Sequence, residues 1–124
     1  MNGVIQVCEG CTDADPAKRA ARTGGGPALR AAVDALVADL PADAGMKVAG
    51  FSCIGNCAKR VRLSVAGPGR WSWLFGELSP ADAPALKAFV SVWLAAPAGL
   101  VPKNDRPPTL RPKILGRVPP AGVG

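Results

Sequence analysis

The residues best suited to chemistry in this 124-residue chain are its four cysteines. Cys8 and Cys11 form a CxxC pair, and Cys53 and Cys57 form a CxxxC pair. There is no histidine anywhere in the chain. That absence removes Ser-His-Asp triads, imidazole acid–base chemistry, mixed Cys/His zinc sites and Rieske-type ligation together. A transition-metal site here must be built from thiolates. Four buried cysteines acting as small hydrophobes would be the plain alternative. Two close pairs that use every cysteine of the chain speak against it.

Three chemistries use such pairs. An iron–sulfur cluster takes four thiolates, and two irons with two ligands each suit two pairs. Zinc also accepts four thiolates in a tetrahedron. Zinc ribbons, however, set their two knuckles closer than Cys11 and Cys53, which 41 residues separate. A dithiol redox site places its CxxC directly before a helix. Here a polar, glycine-rich segment follows Cys11, and no proline precedes the second or third expected strand to face such a site. An iron–sulfur cluster on Cys8, Cys11, Cys53 and Cys57 is the leading reading, with zinc as the alternative cofactor, and four thiolates suit either common cluster type. Gly10, Gly55 and Asn56 lie inside the two loops. Such residues let the backbone turn tightly and aim N–H groups at sulfur, which raises a cluster's potential.

The elements around the cysteines must bring the pairs together. Residues 3–8 read as a short buried strand ending on Cys8. Residues 12–26 read as a loop, rich in small and charged residues and closed by Gly24-Gly25-Gly26. Residues 27–40 form a helix: Pro27 suits the first turn, Leu29, Val33, Leu36, Val37 and Leu40 make one apolar stripe, and Pro41 stops it. Residues 46–52 read as a second strand that leads into Cys53. Val61, Leu63 and Val65 alternate with Arg62, Ser64 and Ala66, and Trp71, Trp73 and Phe75 share a face beyond the Gly67-Pro68-Gly69 turn. This is a hairpin. Ser79-Pro80-Ala81-Asp82 caps a last helix whose buried stripe is Leu86, Phe89, Val90, Trp93 and Leu94.

Residues 97–124 carry seven of the thirteen prolines and six charged residues. They read as an extended segment, though Val101, Leu110, Ile114, Leu115 and Val118 are too apolar for a solvated linker. The division is thus 1–100 for the cluster-binding domain and 101–124 for a basic, Pro-rich tail. Strand, helix and strand want to be parallel. Both cysteine pairs then leave the same edge of the sheet. Strand, helix, strand, hairpin and helix together describe an α/β thioredoxin-like sandwich.

Composition narrows the class further. Hydrophobic residues make up 48% of the chain, enough for a core without disulfide staples. The formal net charge of +6 is ordinary solubility charge or a surface for an acidic partner. No basic helix is interleaved with aromatics, so nucleic acid is not expected. No apolar run reaches the roughly 18 residues of a membrane span. Met1-Asn2-Gly3-Val4-Ile5 has no secretory pattern, and the expected location is the cytoplasm. Thiols stay reduced there, which favours metal or redox chemistry over a disulfide framework.

At these residues the chain resembles the thioredoxin-like 2Fe–2S ferredoxins. It resembles still more a related group of small bacterial "predicted metal-binding proteins". The resemblance rests on Val7-Cys8-x-x-Cys11, the Cys53-x-x-x-Cys57 loop, Gly69-Arg70-Trp71-Ser72-Trp73-Leu74-Phe75-Gly76, Gly99-Leu100-Val101-Pro102 and the Arg/Pro-rich tail. It implies a 2Fe–2S cluster on the four cysteines, one-electron transfer, a homodimer and a metal-handling role. The chain departs from the ferredoxins in the close spacing of Cys8 and Cys11 and in its basic charge.

An electron carrier follows, not a catalyst: four cysteine ligands leave no open coordination position. A zinc-binding or cluster-delivery module is the alternative. Lys59, Arg60 and Arg62 follow the second loop directly; they read as a solvated edge or as docking charges for an acidic redox partner, with Arg62, a strand residue, placed to lie along the sheet face. Trp71, Trp73 and Phe75 are expected in the core or at a dimer face.

Overall fold

The structure is a computed structural model that describes residues 3–10, 16–21, 24–51 and 60–120. Five strands form one sheet in the order β2-β1-β3-β4-β5. β1 (Gly3–Cys8) stands second from the edge, parallel to β2 (Met46–Phe51) and antiparallel to β3 (Leu63–Ala66). β3 turns through residues 67–69 into β4 (Ser72–Phe75), where the Arg70 N–H donates to the Gly67 carbonyl at 3.2 Å and Gly69 takes a φ of 67°. A left-handed φ at that corner is why glycine stands there. β5 (Ile114–Val118) adds antiparallel to β4 as an edge strand, with an irregular step between Leu74 and Phe75. The fold is thioredoxin-like.

α2 (Gly25–Ala38) is the crossover between the parallel strands. Its apolar stripe buries Leu29, Val33 and Leu36 against β1 and β2. α3 (Ala83–Ala95) packs beside α2 and buries Leu86, Phe89, Val90 and Trp93. Strand alternation turns Ile5, Val7, Leu63, Val65, Trp73 and Phe75 toward the helices, and all six are buried. Aromatic edges fix the centre: Phe89 meets Trp73 at 5.3 Å and Phe75 at 5.0 Å, both edge-to-face. The buried indoles are also satisfied. Trp93 Nε1 donates to the Trp71 carbonyl at 2.9 Å, and Trp73 Nε1 to the Gly99 carbonyl at 2.8 Å. Trp71 itself is only half-buried, outside the core that holds Trp73 and Phe75.

Several expectations need correction. The stretch read as a loop contains a short helix, α1 (Pro16–Ala20), and α2 begins at Gly25, two residues before Pro27. β3 starts at Leu63, although Val61 and Arg62 are already buried. The turn after Ser79 is a 3₁₀ turn, Pro80–Asp82, before α3 proper; the Ser79 N–H donates to Asp82 Oδ2 at 2.9 Å.

The tail is extended only in part. It makes 3₁₀ turns at Lys103–Asp105 and Arg111–Lys113 and then β5, and it buries Val101 and Leu110 completely. Lys113 Nζ reaches Asp82 Oδ2 at 2.8 Å, tying the start of β5 to the start of α3.

Candidate metal centre

Cys8 is the last residue of β1, an interior strand, and is 1% exposed. Two neighbouring strands hold its backbone. The Cys8 N–H donates to the Arg62 carbonyl at 3.1 Å, and the Glu9 N–H donates to the Phe51 carbonyl at 2.9 Å. Alternation sets Cys8 on the face of Val4 and Gln6, away from Ile5 and Val7. On that face Ser64 Oγ donates to Gln6 Oε1 at 2.7 Å, and Arg62 stands beside Cys8 one strand over.

The parallel register decides what can meet Cys8. It places Cys8 opposite Phe51, the last residue of β2. The chain after Phe51 therefore sets out toward Cys53 from the strand end adjacent to the one that carries Cys8. Cys11, Cys53, Cys57 and Lys59 lie outside the described residues, as do Gly55, Asn56, Asp13 and Asp15. Among the described residues no three His, Cys, Asp or Glu side chains gather into a metal site.

The N-terminus of α2 rests on this corner. A Cβ on Gly26 would overlap the Cys8 carbonyl oxygen and come within 2.7 Å of the Glu9 Cα. Only glycine lets the helix lie so close to the strand end. Glu9 then reaches back to α2, with its Oε1 2.8 Å from Arg30 Nη1. Gly50 of β2 leaves the space that the Glu9 carboxylate fills. The Glu9–Arg30 pair is largely exposed and contributes little to stability. Its effect is positional.

Arg62 was expected to point toward a docking partner. It is 5% exposed, so it is no surface docking charge. Arg60 is half-buried at the start of the same segment. Buried Arg62 is hydrogen-bonded to Cys8 through its backbone, and the N-terminus of α2 abuts the Cys8 carbonyl. Both offset the negative charge that thiolate ligands bring to a metal centre. The described donor and its surroundings thus fit thiolate ligation. Sequence reasoning missed Gly26 and Glu9–Arg30, which carry no periodic signal. The burial of Arg62 carried no sequence signal, because alternation sets it on the face away from Val61 and Leu63.

A family of proteins of unknown function (DUF1636) matches residues 5–120. The chain belongs to this family. Its fold is similar to that of a thioredoxin-like [2Fe–2S] ferredoxin from Aquifex aeolicus, with a TM-score of 0.59 and 16% identity. The likeness covers 99% of this chain and 98% of the ferredoxin, so it includes the tail as well as the sheet. No curated protein matches the chain significantly. Among the described residues no helix is long and apolar enough to cross a membrane.

Proposed function

We propose that this DUF1636 member is an electron carrier whose 2Fe–2S cluster is held by Cys8, Cys11, Cys53 and Cys57. The observation that carries the reading is the register that pairs Cys8 with Phe51. Two cysteine-bearing segments leave adjacent parallel strands at one end of the sheet, each within a few residues of its strand. The likeness of the whole chain to a [2Fe–2S] ferredoxin of the same fold supports the same reading. When bound, such a cluster supplies one-electron chemistry.

The protein's own part is to fix and neutralise the site. β1 and β3 hold the Cys8 backbone, α2 presses its N-terminus on the Cys8–Glu9 peptide, and Arg62 adds a buried positive charge. A redox partner approaches at the cysteine end, and Lys59 and Arg60 are the charges that steer an acidic surface there.

Anaerobic purification followed by iron, sulfide and zinc analysis tests the proposal. The expected product is red-brown, with equal iron and sulfide, and loses both in a Cys8→Ser variant. A colourless protein holding one zinc per chain would replace the carrier with a zinc-binding or delivery module.

A further inference from the structure

On the β4–β5 side of the sheet, arginines gather around the tryptophans. The Arg106 guanidinium carbon lies 4.9 Å from the Trp73 ring centroid. Arg117, on β5, lies 5.8 Å from the same centroid and 5.4 Å from that of Trp71. Their separation is therefore no more than the sum of their two distances to Trp73. Arg111 joins them from the turn before β5, where its Nε donates to the Arg106 carbonyl at 3.2 Å. Arg106 Nε in turn donates to the Val101 carbonyl at 3.2 Å. Burial, and then the charges of Arg117 and Arg111, push the Arg106 pKa down. Arg106 thus feels both other cations, and among the described residues none of the three pairs with a carboxylate.

Like charges held together without a counter-charge oppose folding. Arg70 shows what a structural arginine looks like in the same neighbourhood. It stacks on Trp93 at 5.1 Å, and its Nη1 donates to the Trp93 carbonyl at 2.8 Å, closing the end of α3. Arg117 makes no such bond among the described residues. It keeps five N–H donors, while Arg106 and Arg111 each keep four on their terminal nitrogens. Stacking on indole fixes the planes of Arg106 and Arg117, so less side-chain freedom is lost when an anion docks. We infer that Arg106, Arg111 and Arg117 form a receptor for a multivalent oxyanion of the phosphate class.

The chemistry selects among anions. Planar guanidinium forks match the paired oxygens of phosphate, and three of them oppose a di- or trianion. Nucleic acid fits less well, because guanidiniums already stack on the Trp71 and Trp73 rings that bases would need. β5 stands three strands from β1, about 14 Å by strand spacing alone. The receptor and the cysteine corner are therefore separate places.

Isothermal titration of the full-length holoprotein with pyrophosphate at low ionic strength tests the inference. Saturable binding is expected, weakened about tenfold or more by R111Q and by R117Q. The exposed Lys47, on the opposite edge strand, provides the control: K47Q should bind like the parent. Circular dichroism melts of the two arginine variants establish that they are folded. Binding that survives both arginine substitutions, or no saturable binding by the parent, overturns the inference. So does a glutamate-rich peptide that binds through the same arginines while pyrophosphate does not, since the ligand would then be an acidic protein surface.

Discussion

Gly26→Ala probes the contact that sets α2 on the cysteine corner. The new methyl would overlap the Cys8 carbonyl oxygen and approach the Glu9 Cα to 2.7 Å and the Glu9 carbonyl carbon to 2.9 Å. All three are backbone atoms, and β1 is pinned on both sides by β2 and β3. Rotating a side chain cannot relieve the overlap, so the helix has to move. Overpacking of this kind costs about 1–3 kcal/mol. Alanine's better helix propensity offsets up to about 1 kcal/mol of it. At the middle of both ranges the net loss is about 1.5 kcal/mol, which for a chain of this size is a fall in Tm of roughly 4–9 °C. Gly116→Ala is the matched control. Nothing lies within 4 Å of its built Cβ, and the expected change is neutral or stabilising by up to about 1 kcal/mol. Calorimetry of the two variants, with iron and sulfide per chain, gives both readouts. Gly26→Ala should melt lower and hold less cluster. A Gly26→Ala protein that melts at or above the parent temperature would refute the close approach as a constraint.

Asp82→Asn should destabilise by about 1–3 kcal/mol, because Asp82 accepts from both the Ser79 N–H and Lys113 Nζ and is only 11% exposed in its side chain. A double-mutant cycle with Lys113→Met checks it, and a coupling below about 0.5 kcal/mol removes the tether between β5 and α3. Arg62→Met should lower the cluster's potential, because it removes a buried positive charge from the strand beside Cys8. Protein-film voltammetry reads that shift directly, and an unmoved potential would mean that Arg62 does not face the cluster. Reversing Lys59 and Arg60 to Glu should slow reduction by an acidic donor most at low ionic strength, where screening is weakest. Wild-type rates at low salt would dismiss docking at that end while leaving the ligand set intact.

Where one periodicity dominated, the elements were readable from sequence. The Leu29, Val33, Leu36 stripe located α2, and the Val61, Leu63, Val65 alternation located β3 and predicted which side chains are buried. β5 was not readable in that way. Ile114-Leu115-Gly116-Arg117-Val118 is short, has glycine at its centre and lies between Pro112 and Pro119. Its strand state comes from pairing with β4, a tertiary gain that local propensity does not contain. An edge strand tolerates flanking prolines because one of its sides needs no partner. The start of α2 was hidden for a related reason: three successive glycines look like a loop, yet Gly26 is required by packing against Cys8. For the candidate site, the cysteine spacing suggested the chemistry and the βαβ pattern suggested which end of the sheet carries it. Arg62 was not readable as buried, because alternation sets it opposite Val61 and Leu63 and the cover on that face is tertiary.

The order β2-β1-β3-β4-β5 gives the two ends of the proposed chemistry different owners. β1 and β2 are the parallel neighbours among the described strands, so their C-terminal ends lie side by side, and the entry to antiparallel β3 opens at the same end. The tail supplies the other end. Without β5 and the turns before it, Arg106, Arg111 and Arg117 would have no fixed place, and Trp73 would lose two of the groups stacked on it. On the proposed reading, one anionic centre is buried at the cysteine corner and a cationic receptor stands about three strands away. At that distance charge still acts, but only weakly through salt. An oxyanion bound at the receptor would therefore leave the approach of a partner to Arg60 sterically open and alter its electrostatics little. Such a chain could take a phosphate-class ligand and a redox partner at the same time.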